Sequence, residues 1–110
     1  MSFVFKKGHT YFWPVTYSLP EDGKHKSTQF QVQFTFKKHS EIQELIKGEG
    51  ATDEAFCKAV VLGWKDVNDE VGQAVEFSDA ALAEFVEIPQ MAKTIVTAYL
   101  ESLAGAKTKN

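Results

Sequence analysis

Between Thr10 and Leu19 the chain reads TYFWPVTYSL, dense in aromatic and β-branched residues, and Trp13, Val15, Tyr17 and Leu19 recur at every second position. That period predicts a strand with one buried face. Pro14 has no N–H to give a ladder, so the strand is expected at a sheet edge or bulged there. Pro20-Glu21-Asp22-Gly23 carries turn chemistry, with Pro and Asp setting the turn and Gly free to take a positive φ. A second strand is expected over Ser27 to Lys38, where Phe30, Val32, Phe34 and Phe36 alternate with Gln29, Gln31, Gln33, Thr35 and Lys37. One face is buried and one is wet, which predicts an antiparallel hairpin. Phe3-Val4-Phe5 is a candidate for a short third strand.

After His39 the period lengthens. Ser40-Glu41-Ile42-Gln43 has the form of a capping box, predicting a helix over Ser40 to Lys47 that Gly48 and Gly50 stop. A second helix is expected to start near Thr52-Asp53-Glu54 and to end around Gly63, with Phe56, Cys57, Val60, Val61 and Trp64 as its apolar stripe. Lys65 to Glu76 reads as a loop or short hairpin around Asn68-Asp69-Glu70-Val71-Gly72, with Val67 and Val71 or Val75 as strand positions. Phe77 as a hydrophobic staple and Ser78 as a cap open a third helix containing Leu82, Phe85 and Val86. Pro89 turns Ile88 away from helix and opens the last one, Pro89 to Ala104. Met91, Ile95, Tyr99 and Leu103 lie near one line of it, with Ala92, Val96 and Leu100 beside them and Gly105 as a cap. The expected fold is therefore α+β: an N-terminal antiparallel β-hairpin or small sheet packed against about four C-terminal helices. One domain is expected over 1–110, β-rich in 1–39, helical in 40–105, with a frayed tail in 106–110.

Composition narrows the class. With 44% hydrophobic and 25% charged residues the chain is near the globular average. No apolar run approaches the roughly 20 residues of a membrane-spanning helix. A single Cys57 cannot build a disulfide framework and the first residues show no secretory signal, so an intracellular protein is expected. Charge is divided unevenly: residues 1–39 hold six Lys against two acids, and residues 40–110 hold six Lys against thirteen. That imbalance reads either as solvated lysines guarding a sheet edge or as a charge-steered contact between halves or subunits. None of the twelve basic residues is Arg, which removes the planar fork for phosphate and guanine and argues against nucleic acid.

Patterns that carry chemistry are missing. His9, His25 and His39 have no metal-ligand spacing, and Cys57 sits on an apolar stripe with no His in its segment. Asp66, Asp69 and Glu70 fail as a calcium loop because the sixth position from Asp66 is Val71 rather than Gly. Gly48, Gly50 and Gly63 form no phosphate-binding motif. No catalytic, cofactor or metal residue is therefore assigned. Nine Phe and two Trp are many large anchors for a domain of this size. They build either an aromatic core or an apolar surface for another protein, and the candidate partner-binding residues are Phe12, Trp13, Phe85, Met91 and Tyr99.

The order of landmarks is distinctive. An aromatic Trp13-Pro14-Val15 strand pairs with a Phe-rich return; Gly63-Trp64 runs into Val67, Asp69 and Gly72; Phe77-Ser78 opens a helix; and a Pro-started helix with Ala98-Tyr99-Leu100 reaches a Lys-Asn terminus. Together these resemble the tail assembly chaperones of long-tailed bacteriophages and prophages. The resemblance implies a non-enzymatic protein of the host cytoplasm, absent from the mature virion. Its members bind the tape measure protein, hold it soluble and help tail tube subunits assemble around it. It also implies self-association, and a longer form made by ribosomal slippage near Thr108-Lys109-Asn110 that recruits tube subunits. Trp13, Gly63, Trp64 and Phe77, as matched landmarks, read first as fold determinants. The alternative is a structural tail component or a small protein-interaction module.

Overall fold

A computed structural model describes residues 2–105. Strands β1 (Thr10–Glu21) and β2 (Lys24–Thr35) come first, followed by helices α1 (His39–Lys47) and α2 (Asp53–Val60). Strand β3 (Val61–Lys65) and helices α3 (Asp79–Phe85) and α4 (Met91–Leu103) complete the order. The sheet is antiparallel in the order β1-β2-β3, and the four helices pack against it, giving the α+β class expected from the pattern.

The hairpin register runs from Thr10 opposite Thr35 to Glu21 opposite Lys24. Only Asp22-Gly23 is left to turn, both at positive φ (49° and 81°), the geometry whose twist matches two paired strands. The turn is thus tighter than Pro20–Gly23: Pro20 lies in β1 opposite His25, and β2 begins at Lys24 and ends at Thr35 rather than spanning Ser27 to Lys38. Beyond that end Phe36 leaves the core face and is 53% exposed.

The prolines follow from the hydrogen-bond phase. The Phe36 N–H donates to the His9 carbonyl at 2.9 Å, continuing the register by one pair. Alternation from that bonded pair turns the backbone groups of Tyr11, Trp13, Val15, Tyr17 and Leu19 toward β2. Those of Phe12, Pro14, Thr16, Ser18 and Pro20 point away from it. Both prolines therefore stand where a missing N–H removes no ladder bond, on the edge strand that the sequence assigned to Pro14.

The third strand is β3, not Phe3-Val4-Phe5, whose side chains are 89%, 66% and 79% exposed and which forms no strand. The helix expected to reach Gly63 stops at Val60, because the next residues pair with Gln31 to Phe34 of β2. Val61 and Trp64 are consequently strand residues, and a bulge leaves Leu62 unpaired between Val61 and Gly63.

Side-chain caps open two of the four helices, α2 and α3. Thr52 accepts from the Ala55 N–H and Ser78 from the Ala81 N–H, each at 3.0 Å, as their positions predict. Ser40 does not cap α1; it lies inside the helix. Lys38 is the boundary residue, and its N–H donates to Glu41 Oε1 at 3.1 Å. Gly48 ends α1 at a point where a Cβ would collide with the Glu44 carbonyl. Helix α4 starts at Met91 rather than Pro89, after a left-handed Gln90 (φ 67°), so Pro89 belongs to the turn. Its end is as expected, with Gly105 at φ 85° just past Ala104. The Asn68–Gly72 turn closes on itself: Asp69 Oδ1 accepts from Val71 and Gln73, and Asn68 bridges Ala74.

The buried residues form one cluster. Val15, Tyr17, Phe30, Val32 and Phe34 from the inner sheet face meet Phe56, Cys57 and Val60 of α2, Leu82 of α3, and Met91, Ala92, Ile95, Ala98 and Tyr99 of α4. Helix α4 runs antiparallel to β1, since Tyr17 donates to the Pro89 carbonyl at 2.8 Å and Tyr11 bonds Ser102 Oγ at 2.7 Å. Past Tyr17 the hairpin outruns the helices, and Leu19, expected on the buried row, is 38% exposed. The expected frayed tail and the slippage site lie outside the described residues.

Candidate partner-binding surfaces

The five candidate residues do not share a surface. Tyr99 is fully buried, with its ring 5.0 Å from Phe34 and 5.5 Å from Phe56. Its hydroxyl donates to the Thr35 carbonyl at 3.0 Å and accepts from the Lys37 N–H at 3.2 Å, and burial raises its pKa above the usual tyrosine value. Met91, 4% exposed, is also core. Phe85 is half-buried against Phe30 at 5.4 Å and Trp64 at 4.8 Å. Trp13 is half-buried on the inner face, beside Tyr11. Only Phe12 looks outward, 38% exposed, with Lys65 Nζ 4.0 Å from its ring centroid, a cation–π contact.

The solvent face of the sheet is where Phe12 belongs. Strand alternation places Thr10, Phe12, Pro14 and Thr16 of β1 beside Gln29, Gln31, Gln33 and Thr35 of β2, then Gly63 and Lys65 of β3. None of these residues is buried. Lys65 is the one formal charge in this set, in a chain that is 25% charged. Depletion of charge around an exposed aromatic is the composition of an interface centre. Cross-strand bonds from Gln29 Nε2 to Thr16 Oγ1 (3.2 Å) and from Gln33 Nε2 to Thr10 Oγ1 (3.4 Å) hold the polar side chains along the sheet. The alternation had already marked this face as wet; its lack of charge was legible too, but only pairing with β3 brings Lys65 over Phe12.

A second feature is a groove between the free edge of β1 and α4, lined by Pro14 and Thr16 on one side and by Lys93, Thr94, Thr97 and Glu101 on the other. The third is apolar and lies before β1, at Phe3, Val4 and Phe5.

Nothing in the site geometry gathers reactive groups. Among the described residues no three His, Cys, Asp or Glu side chains converge. Cys57 is buried with its Sγ 3.5 Å from the Ala92 carbonyl. Burial first, then Asp53 and Glu54, push its thiol up to about 12, so it rests protonated and unreactive. No helix among the described residues is long and apolar enough to cross a membrane.

The described residues thus form an α+β fold that leaves three surfaces exposed: a sheet face, the edge of β1 and the apolar segment at Phe3 to Phe5. The phage tail assembly chaperone family model matches residues 1–110, and the chain belongs to that family. No curated protein and no solved structure matches it.

Proposed function

We propose that this chaperone binds the tape measure protein through the solvent face of its sheet, keeps it soluble in the host cytoplasm and assists assembly of the tail tube around it. The observation that carries this reading is the charge-poor face centred on Phe12, broad and, among the described residues, uncovered by any helix. A long helical partner with apolar stripes needs repeated shallow contacts, which a flat face supplies and a deep pocket does not. Self-association belongs to the same proposal, because several copies along one partner multiply weak contacts. Recruitment of tube subunits by a longer, slippage-derived form completes it, and the protein is absent from the finished virion.

Co-expression with the tape measure protein of the same phage tests the sheet face. The native chaperone is expected to raise the soluble fraction of that protein, and Phe12→Glu with Gln31→Glu to remove most of the gain while the variant's thermal transition stays native-like. Equal solubilisation by the folded double variant overturns the assignment of this face.

A further inference from the structure

We propose that residues 2–7 of one copy add as a short strand to the free edge of β1 in a second copy, so that the chains associate head to tail. This rests on the self-association in the proposed function and names its two surfaces.

The donor is the arm Ser2-Phe3-Val4-Phe5-Lys6-Lys7. It holds three large apolar side chains at 66% exposure or more, and no backbone hydrogen bond ties it to the other described residues. The acceptor is the β1 edge, where Phe12, Thr16 and Ser18 direct N–H groups, and they and Pro14 direct carbonyls, away from β2. Pro14 and Pro20 interrupt the row of donors, which disfavours a long continuous pairing such as β1 with its own copy. A short arm laid along Phe12 to Thr16 meets only one of these interruptions, Pro14, whose carbonyl still accepts.

Charge selects the orientation. In the groove beside this edge Lys93 lies toward the start of α4 and Glu101 toward its end. The end of α4 is next to Tyr11, so the acidic end of the groove adjoins the start of β1. An arm laid antiparallel to β1 brings Lys6 and Lys7 to Glu101 and to the negative end of the helix, with Phe3 farther along the edge.

Closure onto the same chain is disfavoured by His9. Its carbonyl accepts from Phe36, and its ring lies 5.6 Å from both Tyr11 and Phe36, which holds it in line with β1. Reversal onto the same edge then falls to Lys7 and Gly8; Gly8 has a positive φ of 72°, but Lys7 does not, and two-residue hairpin loops favour Asn, Asp or Gly at that first position.

Sedimentation velocity on the full chain and two variants tests the assignment. Phe3→Glu with Phe5→Glu disables the donor and keeps the edge. Thr16→Pro removes an outward N–H and keeps the arm, without loss of a backbone ladder bond of the hairpin; it gives up only the exposed side-chain bond from Gln29. The native chain is expected to shift to larger species as concentration rises, each variant alone to stay monomeric, and an equimolar mixture of the two to form a 1:1 complex. A native chain that is monomeric at every concentration overturns both this inference and the self-association it rests on. A native chain that associates while the mixture stays monomeric, or while either variant associates as well as the native chain, overturns the strand exchange alone.

Discussion

The hydroxyl of Tyr99 bridges the end of β2, donating to the carbonyl of Thr35 at 3.0 Å while it accepts from the backbone of Lys37. One side chain of the last helix thereby fixes where the hairpin ends and the chain departs toward α1. Tyr99→Phe keeps the ring against Phe34 and Phe56 and strands those two backbone groups. We expect a loss of about 1–3 kcal/mol, against about 3–5 kcal/mol for Tyr99→Ala, which also opens a cavity. Urea unfolding of the two variants checks the ordering, and a Tyr99→Phe chain as stable as the native one would show that the hydroxyl contributes nothing.

Phe12 and Trp13 are neighbours on opposite faces. Phe12→Ala is expected to change stability by less than about 1 kcal/mol and to weaken partner binding. Trp13→Ala is expected to lower stability by about 2 kcal/mol or more through lost packing on the core. Thermal melts set beside a pull-down of the tape measure protein separate the effects; a Phe12→Ala chain that melts early but binds normally would reverse the assignment.

Ser18 and Leu19 are both exposed and both near the hairpin tip, but their N–H groups point in opposite directions. Ser18→Pro is expected to leave stability almost unchanged. Leu19→Pro removes a donor to Lys26 and is expected to cost on the order of 1 kcal/mol. Amide exchange at Lys26 and Thr28, whose N–H groups face β1, reports the difference, and equal protection in both variants would contradict the hydrogen-bond phase assigned to β1.

Cys57 gives a pH dependence with a definite sign. Its thiol pKa rises from 9.0 to about 12 on folding, so the native state holds a proton that the unfolded chain releases. Stability from this group is complete below about pH 9 and is lost as pH climbs toward 12. Tyr99, also raised by burial, adds a loss in the same direction above its ordinary value of 10.0. Cys57→Ala is expected to flatten the part of the alkaline decline between pH 9 and 10, measured by denaturant midpoint against pH. Native protein should also resist alkylation at pH 8, and rapid stoichiometric labelling of the folded chain would contradict the burial of the thiol.

Much of the hairpin was legible because its period is local. Trp13, Val15 and Tyr17, and Phe30, Val32 and Phe34, alternate within single segments, and no distant residue is needed to know which side they share. The same holds for Thr52, Ser78 and Gly105, whose roles depend on the next few backbone groups. Pro14 narrowed β1 to an edge strand or a bulge, since a missing donor constrains a ladder wherever it stands, and the pairing of β2 with β3 on its other side settled it as an edge.

Tertiary structure decided what periodicity leaves degenerate. The spacing of Phe56, Cys57, Val60, Val61 and Trp64 fits one helical stripe, and only the open side of β2 converts its last part into β3, because four residues of ladder outweigh one more turn of a short helix. Phe36 continues the alternation of β2 but is exposed, because the chain leaves the sheet at Thr35 toward α1. Met91 and Tyr99 read equally well as surface anchors or as core until α4 is laid under β1. Side-chain pattern states which residues seek burial; which of them obtain it is set by the partners available in space, and that information is distributed over the whole chain.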